Sequence, residues 1–117
     1  MNSALENCTR EIDSGKFVII EDDLAQTPCF YLCSSASIAS EKEMARLIDL
    51  AKGIVCVAIT ESRALELGLP SMNPLQNRHQ FDFTTSVEAR EGITTGISAA
   101  DRARTCREVA TLSLIHI

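Results

Sequence analysis

The stretch Ser40–Ile59 constrains this chain more than any other. Ser40 and Glu43 form an S-x-x-E pair, and Met44, Leu47, Ile48 and Ala51 follow on one helical face. That spacing predicts a capped amphipathic helix ending at Ala51. Gly53 then turns the chain into Ile54-Val-Cys-Val-Ala-Ile59, an unbroken apolar run that reads as a buried strand. A helix that leads straight into an apolar strand needs an α/β partner layer, because neither element covers its own apolar side.

The flanking segments repeat this logic. Leu5, Cys8 and Ile12 recur at helical spacing, so residues 3–14 read as a short amphipathic helix that Gly15 terminates. Phe17–Ile20 is a second compact apolar strand, broken by Glu21-Asp22-Asp23, and Cys29–Cys33 between Pro28 and a serine-rich stretch suits another. Thr60 is placed to cap a helix through Leu67, closed by Gly68 with Pro70 beyond. Residues 71–80 read as an exposed loop and Phe81–Val87 as a strand. Gly92–Gly96 is a tight, threonine-rich turn, and Ser98 with Asp101 caps a last helix from Ala99. The expected class is α/β of the α+β sandwich type, a mixed sheet with flanking helices.

Composition narrows the function classes. With 117 residues the chain is one domain at most, and 45% hydrophobic with 23% charged residues is the balance of a folded soluble protein. The net charge of −5, with scattered Arg and Lys, gives no electrostatic footprint for nucleic acid. No apolar run approaches the roughly 18 residues of a membrane span, and Met1–Arg10 lacks the order of a secretion signal, so the expected location is cytoplasmic. Five scattered cysteines with no C-x-x-C pair argue for reduced thiols rather than disulfides or a zinc site.

Three segments carry a family likeness: Gly53-Ile-Val-Cys-Val-Ala-Ile-Thr60, Arg63–Met72 with its Leu67-Gly68-Leu69-Pro70, and Phe83–Arg102 with its Glu91-Gly-Ile-Thr-Thr-Gly-Ile-Ser-Ala-Ala-Asp-Arg102. Together they resemble the N-terminal half of 3,4-dihydroxy-2-butanone 4-phosphate synthase, a lyase of riboflavin biosynthesis. The resemblance implies conversion of ribulose 5-phosphate to 3,4-dihydroxy-2-butanone 4-phosphate and formate, a sugar-phosphate ligand, magnesium or manganese as cofactor, and a homodimer. Enolising a ketose calls for a base within hydrogen-bond reach of a carbon-bound proton, and the enediolate calls for a divalent cation on oxygen ligands.

The same resemblance points to site residues, each with a second reading. Asp22 matches an active-site acid of the family's acidic loop, or is a strand-ending acid in a solvated turn. Cys56 matches the pocket-lining cysteine, or is an inert core thiol. Thr94 and Thr95 match a substrate-contacting turn, whose amides before a capped helix suit an anion, or simply serve turn chemistry. For Asp101 a capping role is sufficient, and His79 matches no catalytic histidine.

The likeness then breaks. After Asp22 and Asp23, where the family reads roughly D-D-E-D-R-E-N-E-G-D, Gln26 replaces the arginine and Thr27 the metal-binding glutamate, and Cys29 and Tyr31 replace two further acids. The family's other metal ligand and its R-x-G-H-T phosphate segment lie in the second half. No complete metal site can therefore be written, and the chain alone is expected to be impaired or inactive. A non-catalytic paralogue or remnant, acting through dimerisation or sugar-phosphate binding, is the alternative. Residues 1–111 are expected to form a partial synthase-like domain. Leu112-Ser-Leu-Ile-His-Ile117 resembles a translated sequencing adapter and is expected to be a non-native tail.

Overall fold

The computed structural model describes residues 3–24, 26–72 and 82–111. In chain order it contains α1 (Ser3–Asp13), β1 (Val18–Asp22), β2 (Cys29–Cys33), α2 (Glu41–Ala51), α3 (Glu61–Glu66) and α4 (Ala99–Ala110). The α/β class expected from the sequence is the one observed. Its hydrogen-bonded sheet, among the described residues, is the two-stranded antiparallel pair β1–β2, with Val18 opposite Cys33 and Asp22 opposite Cys29.

The helix caps sit where the local sequence places them. Ser40 Oγ accepts from the Glu43 amide at 3.2 Å, while the Ser40 amide donates to Glu43 Oε2 at 3.1 Å, so both halves of the capping box are made. Thr60 Oγ1 accepts from the Arg63 amide at 3.1 Å, and Ser98 Oγ from the Asp101 amide at 3.1 Å. The end of α2 falls at Ala51, as expected. Lys52, not Gly53, takes the left-handed conformation that ends α2, with φ of 52° and its amide bonded to Ile48 O at 2.9 Å. Gly53 does not adopt a positive φ.

The core forms around α4. Ala103 is fully buried, and with Met44 of α2 and Cys106 it makes one cluster, flanked by Ala39, Ile48, Val55 and Val57. Leu67, Leu69 and Val109 make a second, flanked by Val57, Ile59, Ala64 and Val87. Val57 touches both. The small side chain of Ala103 lets α2 approach α4 closely, and the inward positions 99, 103, 106 and 109 follow the helical period. Two arginines tie the helices together. Arg63 Nε donates to Val109 O at 3.2 Å and its Nη2 to Thr111 O, while Arg107 Nη1 donates to Ala39 O.

Three strand expectations need correction. Phe17–Ile20 is extended but not buried: Ile19 and Ile20 are 68% and 48% exposed, and the strand runs on through Asp22. Phe17 is covered from one side by the Arg46 guanidinium, 5.4 Å from its ring centroid. Residues 54–59 are extended but pair with no strand among the described residues, and only Val55, Val57 and Ile59 turn toward the helices. The segment near Phe83 makes an isolated antiparallel bridge, Thr84 to Ser71, rather than a strand. At 54–59 the helices cover one side alone, so an apolar run that would suit two covered faces turns only alternate residues inward. Most of the loop expected at 71–80, His79, and the 112–117 tail lie outside the described residues.

Replacing Ser40 by Ala removes the capping hydroxyl and should lower stability by about 1 kcal/mol, within the ~0.5–2 kcal/mol span of such changes. A urea midpoint unchanged from the parent chain would show that the box contributes nothing.

Candidate functional site

The turn before α4 is built around one carboxylate. Asp101, 4% exposed, sits in the first turn of α4 and reaches back along the chain. Its Oδ2 accepts from Thr94 Oγ1 at 2.9 Å and from the Gly96 amide at 3.0 Å, and both oxygens lie 3.2 Å from the Thr94 amide. Burial alone would raise its pKa, but the hydrogen bonds from Thr94, Gly96 and Ser98 outweigh it and hold the carboxyl below the usual aspartate range. The positive end of α4 favours the same charge state. Gly96 needs its positive φ of 79°, and a Cβ there would run into the Glu88 carboxylate. The role of Asp101 is thus larger than the capping assigned from sequence. Nothing short of the folded turn reveals that its side chain reaches Thr94.

This arrangement also decides what the threonines present. The Thr94 hydroxyl and amide are both engaged by Asp101. Thr95 is exposed, and its hydroxyl accepts weakly from the Ile97 amide at 3.4 Å, so it is the freer of the two. Ala89, nearly buried at 3%, donates its amide to Thr105 Oγ1 at 3.0 Å, and Arg104 Nε donates to Glu91 O at 2.7 Å. These two bonds lash the 89–91 stretch to α4. Neither was read from sequence, where both donors and acceptors look like ordinary surface positions of a helix.

Cys56 lies in the extended run 54–59 with its side chain outward and exposed, which removes the core-thiol reading. Asp22 ends β1 half-buried, and its Oδ1 accepts from the Leu24 amide at 3.1 Å, a local turn contact. Beyond it Gln26, Thr27 and Cys29 are exposed. Tyr31 has its phenol pushed up by desolvation, then by the charges of Cys29 and Asp22, so it ionises less readily than a free tyrosine. Among the described residues no group of three or more His, Cys, Asp or Glu side chains converges on a point that would hold a metal ion. Thr27, Cys29 and Tyr31 offer a hydroxyl, a thiol and a phenol, poor ligands for magnesium, which prefers carboxylate and water oxygens. A shallow, open depression of about 580 Å³ lies between the end of α2 and the start of α4, lined by Ile48, Asp49, Lys52, Ile97 and Arg102 among others. Asp22, Cys56, Thr94 and Thr95 are not among its lining residues.

The sequence matches the family described as 3,4-dihydroxy-2-butanone 4-phosphate synthase over residues 6–114. The chain belongs to this family. The synthase of Desulfotalea psychrophila is 39% identical over 104 residues, which is 88% of this chain and 49% of that protein. The riboflavin biosynthesis protein RibBA of Nocardia farcinica is 41% identical over 107 residues, 91% of this chain and 26% of that protein. Among solved structures, the Candida albicans synthase superposes with a TM-score of 0.80 at 33% identity, over 95% of this chain and 54% of its own. A synthase in complex with two magnesium ions gives a TM-score of 0.86 at 29% identity, over 95% of this chain and 52% of its own. The chain thus spans about half the length of single-domain synthases, and less of the larger proteins. Among the described residues no helix is long and apolar enough to cross a membrane.

Because the folded-state pKa of Asp101 is depressed, its contribution to stability is present above the ordinary aspartate pKa and is lost as pH falls through the lower folded value. Asp101→Asn should therefore lower Tm at neutral pH and flatten the fall of Tm on acidification. A variant whose Tm follows the parent at every pH would overturn the assignment.

Proposed function

We propose that this chain is a 3,4-dihydroxy-2-butanone 4-phosphate synthase-like protein of riboflavin biosynthesis that keeps one wall of the sugar-phosphate pocket and has no lyase activity by itself. The observation that carries this reading is the missing acidic constellation. Gln26, Thr27, Cys29 and Tyr31 stand where the family's loop places an arginine and acids, and no metal-holding cluster forms among the described residues. Neither a hydroxyl such as Thr27 nor the phenol of Tyr31 replaces a carboxylate as magnesium ligand or as base near neutral pH.

The retained wall consists of Thr94 and Thr95 as substrate-binding residues, with Cys56 and Asp22 as the surviving members of the catalytic set. Asp101 engages the Thr94 hydroxyl and the Thr94 and Gly96 amides and so holds the turn in shape, leaving the exposed Thr95 hydroxyl as the side-chain donor that suits a sugar phosphate. The exposed thiol of Cys56 and the partly free Asp22 suit contact with a ligand rather than core packing. The protein is taken to work in the cytoplasm, as a homodimer, without nucleic-acid or membrane partners.

A non-catalytic paralogue is the second reading, favoured by the same loop. It would act by pairing with another synthase chain or by holding the sugar phosphate.

Incubated with ribulose 5-phosphate and magnesium, the purified chain should release no formate. Formate above the level of a no-enzyme control would overturn the proposal. A Thr95→Ala change should weaken ribulose 5-phosphate binding, read by calorimetry, about tenfold, the loss of one charge-assisted hydrogen bond of roughly 1.5 kcal/mol. Equal affinities for variant and parent would remove Thr95 from the site.

A further inference from the structure

We infer that Arg104 is a positioning residue for the turn ahead of α4: its guanidinium fixes residues 91–92, and through them the place at which Thr95 offers its hydroxyl. This role presupposes the proposed contact of Thr95 with a sugar phosphate.

The turn has no backbone ladder of its own. Among the described residues, no backbone–backbone hydrogen bond involves residues 90–97. Side chains of α4 hold the span instead. Asp101 takes the far end, accepting from the Thr94 amide at 3.2 Å and the Gly96 amide at 3.0 Å. Arg104 takes the near end, donating from Nε to Glu91 O at 2.7 Å, just after Thr105 has received the Ala89 amide. Residues 101 and 104 stand three apart on one face of the helix, so a single rigid element sets both ends of the span. Thr95 lies between these anchors, and its own hydroxyl makes only the long contact of 3.4 Å with the Ile97 amide. The anchors therefore dictate where it points.

Gly92 shows how close the Arg104 contact is. A Cβ built there would lie 2.6 Å from Arg104 Cζ and 2.8 Å from its Nε, so the flat guanidinium rests directly on this peptide. Gly92 also has a φ of 71°, which glycine adopts without steric cost. A lysine at 104 would keep the charge but lose both the planar contact and the Nε donor. The charge has a separate and weaker use. Nη2 lies 3.8 Å from Glu108 Oε1, in an i,i+4 pair with side chains 40% and 37% exposed, and such pairs contribute little. The closer contacts of Arg104 are with the turn. A hydrogen bond to a ligand requires its donor to be held within about 0.5 Å of the productive place, and a turn freed at one end would have to be ordered again on binding.

Calorimetric binding of ribulose 5-phosphate to the full 117-residue chain tests this in two backgrounds. Arg104→Lys should weaken binding about tenfold, as much as Thr95→Ala does, because it acts through the same hydroxyl. In a chain already carrying Thr95→Ala, the added Arg104→Lys change should cost nothing further, to within about twofold. A general loss of stability would instead weaken both backgrounds equally, and that result would overturn the inference. Glu108→Gln, which removes only the pair along the helix, should bind as the parent does. Weaker binding there would assign the effect to the ion pair and also overturn it. Parent-like affinity of Arg104→Lys alongside a weakened Thr95→Ala removes the positioning role and leaves the Thr95 contact standing. A parent chain that does not bind, or that binds equally well after Thr95→Ala, removes the Thr95 contact and the role of Arg104 with it.

Discussion

A buried carboxylate with three donors around it fixes the end of the molecule from which everything else is hung. Asp101 would be costly inside the fold if left unpaired, and Thr94 and Gly96 are held in a turn that has little else to define it. Each need answers the other. Once the turn is set, α4 leaves it at a fixed angle, and the inward residues of α4 reach both core clusters. The strand-like segment 54–59, α2 and α3 are positioned by contact with that one helix, with Arg63 and Arg107 bonding its neighbours to it.

The consequence is an asymmetric molecule. Its helical side is sealed, with Ala103 at 0% exposure, while its sheet side carries Ile19, Phe30 and Ile54 at 68%, 64% and 92%. Among the described residues no side chain exceeding the size of alanine is completely enclosed. A fold with so few enclosed groups has limited hydrophobic stabilisation to set against chain entropy, and large exposed apolar surface is the mark of an interaction face.

The candidate site is spread over separate elements. Thr94 and Thr95 are exposed on the turn ahead of α4, whose geometry follows from bonds within the chain. Asp22 stands at the hairpin, and Cys56 on the open side. After Asp23 the described loop residues, Leu24 and 26–29, include no carboxylate, and the surroundings of Tyr31 push its phenol up, away from ionisation. Family membership and the family's chemistry are therefore separable here. Membership rests on the match over residues 6–114, whereas the proposed loss of activity rests on the loop after Asp22.

Local signals were legible in the sequence because they are short-range: the Ser40–Glu43 box, the Thr60 and Ser98 caps, α1 ahead of Gly15, and the family segment from Phe83 to Arg102 each depend on residues a few positions apart. The departures after Asp23 were legible for the same reason, since a missing carboxylate is visible without a structure. What the sequence could not specify was which apolar runs would be covered. Ile54–Ile59 and Phe17–Ile20 read as buried because apolar residues repeat without a break, but burial requires a second layer, and only the folded chain shows that one side has it. The exposure of Cys56 follows from that. The reach of Asp101 to Thr94 is likewise tertiary, because a side-chain oxygen finds its donors through the path of the turn and not through the spacing of the letters.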